Sequence, residues 1–106
     1  MRKPMLAGVR AAALLNCPAH ADTPALSTRW GRTQLSQNAC LENAERAIRA
    51  AAFERRPPTP TTRYGIKGSY VAAIRCLTEL GMYFMSSAGP SQNGTDRNVE
   101  AADKGF

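Results

Sequence analysis

The sequence predicts a small α+β domain: one long helix packed on a three-stranded antiparallel sheet, followed by a short C-terminal helix. Two patterns carry that expectation. Apolar residues at 40, 41, 44, 47, 48, 51 and 52 recur at helical spacing and form a single stripe. Downstream, three β-prone runs at 62–66, 70–77 and 82–88 are separated by turn-forming residues, the pattern of a meander. A chain of 106 residues has room for one such domain.

Residues 1–21 read as an address rather than as part of the fold. They contain Arg2, Lys3 and Arg10 and no acidic residue, the first being Asp22. A basic start, the apolar stretch 11–15, the helix breaker Pro18 and the small-x-small triplet Ala19-His20-Ala21 are the parts of a secretory signal peptide. Cleavage after Ala21 would begin the mature chain at Asp22 and send it to the periplasm. Arg10 shortens the apolar stretch, so other readings compete: a mitochondrial transit peptide, a lipoprotein box at Leu14-Leu15-Asn16-Cys17, or the helical N-terminus of a cytoplasmic protein. No apolar run approaches the ~20 residues that a helical membrane span needs.

Export changes the arithmetic. The whole chain carries a formal charge of +6, three cysteines and one histidine, His20. Without residues 1–21 there are 11 cationic against 8 acidic residues, a net +3, with two cysteines and no histidine. The core is also thinner than a 43% hydrophobic composition implies, because 18 of those residues are alanine.

Residues 22–34 are polar and irregular in pattern, with a short edge strand around Thr28–Trp30 as an option, so the α+β domain proper is placed at 35–106. Ser36 can cap a helix running from about 36 to 54. On its surface Glu42 faces Arg46 and Glu45 faces Arg49, both at i,i+4 with the acid first. Pro57 and Pro58 end it and open a stiff extended linker through Thr62. The meander follows, with turns at 67–69 and 79–81. Gly89-Pro90 closes it, Asn93-Gly94 reads as a further turn, and Thr95 as the N-cap of the last helix.

The helix stripe carries Cys40, and the middle strand carries Cys76 on the same side as Tyr70, Ala72 and Ile74, because strand side chains alternate. A three-residue loop at 67–69 would put Tyr64 and Ile66 on that side too. Packing stripe on strand face brings the two cysteines within bonding reach, and a Cys40–Cys76 disulfide suits an oxidising destination. Two buried thiols, or one reactive thiol, are the alternatives.

Little catalytic equipment is left in the mature chain. Without an imidazole there is no Ser-His-Asp or Cys-His nucleophile and no histidine-based zinc site. The carboxylates are scattered, no serine sits in a G-x-S-x-G elbow, and Gly65-Ile66-Lys67-Gly68 reads as a hairpin rather than a phosphate cradle. No cofactor is implied. Asn93-Gly94-Thr95 matches a glycosylation sequon but is a turn first.

Two binding readings remain. The second face of the meander carries Val71, Leu77, Met82 and Phe84 beside Arg63 and Arg75. Unless the terminal helix covers it, that apolar patch edged with arginine is a surface for a protein partner, a ligand or a homodimer. Alternatively, basic and aromatic residues interleaved at Arg63, Tyr64, Lys67, Tyr70 and Arg75 form a single-stranded nucleic-acid platform. A net charge of +3 and export both count against the latter.

The segments Ser36-Gln37, Cys40-Leu41, Ala51-Ala52-Phe53, Gly68-Ser69-Tyr70, Ala73-Ile74-Arg75-Cys76 and Ala88-Gly89-Pro90 resemble small exported proteobacterial proteins of unknown function. The resemblance spans Leu35 to Pro90 and implies the helix, meander, helix order with its cysteine pair. It implies no activity. The chain departs from the pattern at Ala52, where glycine is expected before Phe53 at the helix end.

Overall fold

The computed structural model describes residues 23–106, so the leader read at 1–21 and its cleavage site lie outside the described residues. Ser36 starts the first helix as its side chain predicts: its hydroxyl accepts the Ala39 amide at 3.2 Å. Helix α1 spans Gln37–Ala50 and buries Cys40, Leu41, Ala44, Ala47 and Ile48 of the expected stripe; Ala51 is buried just past its end and Ala52 is exposed. Of the two surface pairs, Glu45–Arg49 forms at 3.7 Å, whereas Arg46 turns to Asn43.

The helix ends at Ala50 rather than near 54. Ala52 adopts φ +68°, in the left-handed region. Its amide donates to the Arg49 carbonyl at 2.9 Å and the Phe53 amide donates to the Ile48 carbonyl at 3.0 Å, the two bonds of a Schellman cap. The reversal folds Phe53 back into the core. A cap position that suits glycine thus carries a Cβ. Ala52→Gly is expected to raise stability by about 0.5–1 kcal/mol, read as a higher melting temperature; an unchanged or lower one would mean that the turn holds no strain.

Immediately after the cap, Glu54–Arg56 forms a short strand, β2, where the end of the helix and the linker were expected. Strands β3 (Thr62–Lys67), β4 (Tyr70–Leu77) and β5 (Met82–Gly89) make the predicted meander. A further edge strand, β1, occupies Ala25–Arg32; it contains the short strand offered at Thr28–Trp30 and extends it at both ends. The sheet therefore has five antiparallel strands in the order β1-β5-β4-β3-β2, not three. Physical reasons explain why β1 was only an option and β2 was not expected. In β1 the usual polarity is inverted, with Ser27 buried while Leu26 and Trp30 are exposed. Strand β2 is Glu-Arg-Arg and exposed throughout, so it has no apolar pattern at all.

The last helix, α2, spans Gln92–Gly105 and is as long as α1, not a short appendix. Its N-cap is Ser91, whose hydroxyl accepts the Gly94 amide at 3.0 Å, so Asn93 and Gly94 lie in its first turn and Thr95 is already helical. Tyr70 explains the glycine. Its ring lies across Gly89 and Gly94, where a Cβ at either position would overlap ring atoms or the hydroxyl, and its hydroxyl meets Ser91 Oγ at 3.0 Å.

Both helices pack on the same face of the sheet: α1 against β2, β3 and β4, α2 against β1 and β5, and the two against each other. The core between the layers centres on Ile48, Ile74, Met85 and the two cysteines. At the α2 end Tyr83 stacks on Phe106 with ring centroids 4.1 Å apart. The other face of the sheet has neither helix over it.

Candidate functional site

The β3–β4 loop decides which residues reach that open face. It is a two-residue turn, Gly68-Ser69, with Gly68 at φ +58°, a type II′ geometry that pairs Lys67 with Tyr70. The expected three-residue loop would have paired Ile66 with Tyr70. One residue of slip exchanges the faces of a strand. Tyr64 and Ile66 accordingly lie on the open face, and Arg63, Gly65 and Lys67 on the helix face.

Arg63 is thereby corrected: it is not part of the open face. Its Nε lies 3.2 Å from Glu45, which also receives Arg55 at 2.7 Å. Lys67 donates to the Ala51 carbonyl at 2.9 Å and sits 4.7 Å from the Phe53 ring centre. The basic and aromatic set proposed for nucleic acid is divided in the same way. Tyr64 and Arg75 face one way, and Arg63, Lys67 and Tyr70 the other.

The β4–β5 register agrees with the sequence reading. Leu77 pairs with Met82, Arg75 with Phe84 and Val71 with Ala88. Val71, Arg75, Leu77, Met82 and Phe84 therefore share the open face. Strand β1 extends it, because Trp30 pairs with Phe84, Arg32 with Met82 and Leu26 with Ala88. Strand β2 adds Glu54 beside Ile66 and Arg56 beside Tyr64. Four large apolar side chains are exposed on this face: Leu26 (60%), Trp30 (58%), Val71 (37%) and Phe84 (37%). At its middle, Arg75, Phe84, Tyr64, Thr62, Ala73 and Ser86 line a shallow depression.

Leu26, Trp30, Tyr64, Ile66, Arg32 and Arg56 were missed as members of the face. For Tyr64 and Ile66 the signal was Gly68 itself, which fits the first central position of a two-residue hairpin. For β1 the only signal was the spacing of Leu26, Thr28 and Trp30 at every second residue.

The Cys40–Cys76 disulfide is present, with S–S 2.07 Å and Cα atoms 6.1 Å apart, and both residues are buried in the core. The densest polar cluster ties β1 to α2. Ser27 Oγ lies 2.7 Å from Thr95 Oγ1, donates to Asp96, and accepts Gln92 Nε2 at 2.8 Å. Hydrogen bonds from Ser27 first and then Gln92 lower the pKa of the Asp96 carboxyl. At the other end of α2, burial first and then the neighbouring Asp103 raise the Tyr83 phenol above its ordinary value. Asp103 also takes Arg29 at 2.9 Å, a second tie between β1 and α2. Among the described residues no group of three or more His, Cys, Asp or Glu side chains is placed to hold a metal ion. No described helix is long and apolar enough to cross a membrane.

The chain matches no protein-family model, no curated protein and no solved structure.

Proposed function

We propose that this is a small exported binding module, stapled by one disulfide, that holds a protein partner on the open face of its sheet. One observation carries the reading: among the described residues, four of the six exposed large apolar side chains lie on one sheet face, opposite the side where both helices pack. Apolar area that two helices could have buried is left to water, which is the usual mark of an interaction surface.

Export is supported by the composition of residues 1–21 and by the buried cystine, a bond typical of oxidising compartments. Cleavage after Ala21 would remove none of the described elements, since β1 starts at Ala25. The resemblance to small exported proteobacterial proteins points the same way and includes both cysteines.

The test separates surface from core. Phe84→Ser is expected to change stability by less than about 1 kcal/mol, because the ring is partly in water already. Tagged wild type and variant, each recovered from the native host, are compared by quantitative mass spectrometry of co-purifying proteins. The proposal expects at least one partner to fall about tenfold or more with the variant. Identical partner sets for two equally folded proteins would overturn it.

A further inference from the structure

We infer that the occupant of the open face is an acidic protein surface rather than a second copy of this chain; the inference rests on the protein-binding reading above. Charge decides between the two. Arg32 from β1, Arg56 from β2 and Arg75 from β4 belong to this face, and Glu54 is its carboxylate among the described residues. The positions between them are neutral: Thr28, Ser86, Ala73 and Tyr64 form one row across the sheet.

Away from that face five cations have a carboxylate within reach, while Arg46, Lys67 and Arg97 have none among the described residues. Asp103 takes Arg29, Glu45 takes Arg49, Arg55 and Arg63, and Glu100 takes Lys104. Arg32, Arg56 and Arg75 make no ion pair among the described residues. Covering them without a counter-charge would strand guanidinium groups away from water, a heavy penalty.

A face-to-face pair of identical copies would do that. Each copy would bring three arginines and one glutamate, so two copies would offer two carboxylates to six arginines and leave at least four without a counter-charge. A partner with Asp and Glu side chains around an apolar centre satisfies both features. Its apolar groups meet Trp30, Phe84, Val71 and Leu26, and its carboxylates take the arginines, whose planar forks suit them.

The experiment is site-specific photo-crosslinking in the native host. A photoreactive residue replaces Trp30 in the full-length chain, and the adduct is identified by mass spectrometry. The expected result is an adduct with a different protein whose linked segment is richer in Asp and Glu than in Lys and Arg. Its yield should fall about tenfold or more in both Arg75→Glu and Arg56→Glu, with the melting temperature and the disulfide retained. Raised salt during irradiation of an extract should also lower it. An adduct of two copies of this chain, an adduct with lipid, or a protein adduct indifferent to both reversals would overturn the acidic partner while leaving the open face as a binding surface. No adduct from Trp30 or from the same probe at Val71 would overturn both readings.

Discussion

Replacing Cys40 and Cys76 together by alanine is expected to cost about 4 kcal/mol of stability, the largest effect of any change considered. The cystine closes a loop of 36 residues, and the chain-entropy model assigns most of the benefit to restricting the unfolded chain. Two further features make the loss severe. Core-forming side chains are few, since alanine supplies 18 residues of the sequence and lines much of α1. A small domain also has only about 5–15 kcal/mol of total stability to lose. Urea unfolding of wild type and variant, monitored by circular dichroism, reads the difference directly. A midpoint that does not move would show that packing of α1 on β4 suffices without the bond. The cystine is buried, so reductant is expected to act on the native protein only through unfolding.

Gly89→Ala is expected to destabilise by about 1–3 kcal/mol, far more than an alanine normally costs in a strand. Gly89 lies outside the positive-φ set, so the backbone itself tolerates a side chain. The obstacle is Tyr70, whose ring body occupies the place of the missing Cβ while its hydroxyl does the same at Gly94. Two glycines from consecutive elements, β5 and α2, thus form a slot that fixes where the helix starts relative to the sheet. The control is the double variant: in a Tyr70→Ala background Gly89→Ala should cost little, because the clash is gone. Thermal unfolding of the four proteins gives the coupling. Additive effects, or a neutral Gly89→Ala, would mean that the ring has room to move aside.

How far the sequence discloses this molecule follows from where each pattern has a burial reason. The stripe of α1 and the alternation of β4 were legible because both are packed against one core, and together they placed Cys40 opposite Cys76. Helix α2 was legible as an element but not in its start, since Asn93-Gly94 looks like a turn until Tyr70 is seen to require a glycine there. Ala52 marks the reverse case. No glycine in the sequence signals the end of α1, yet Ala52 takes up the left-handed cap and the helix stops there.

The open face was half legible for similar reasons. The register of β4 with β5 follows from the turn after Leu77, and five residues named from sequence lie together there: Val71, Arg75, Leu77, Met82 and Phe84. Arg63 was misplaced by a single residue of loop length, which moved all of β3. Strand β1 gave no burial signal because its apolar residues point away from the core and its inward residues are Ser27, Arg29 and Gly31. A strand with apolar groups outside is hard to recognise as a strand. That same inversion is the strongest sign that its outer side is meant for something else.

Trp30 tests the central claim most directly. It is the sole tryptophan of the chain and sits on the open face at 58% exposure, so its fluorescence reports that surface alone. In the isolated protein, recovered from its native host, the emission is expected to be red-shifted, as for indole in water, and readily quenched by acrylamide. Blue-shifted emission protected from the quencher would contradict the account, because it would mean that the face is already covered.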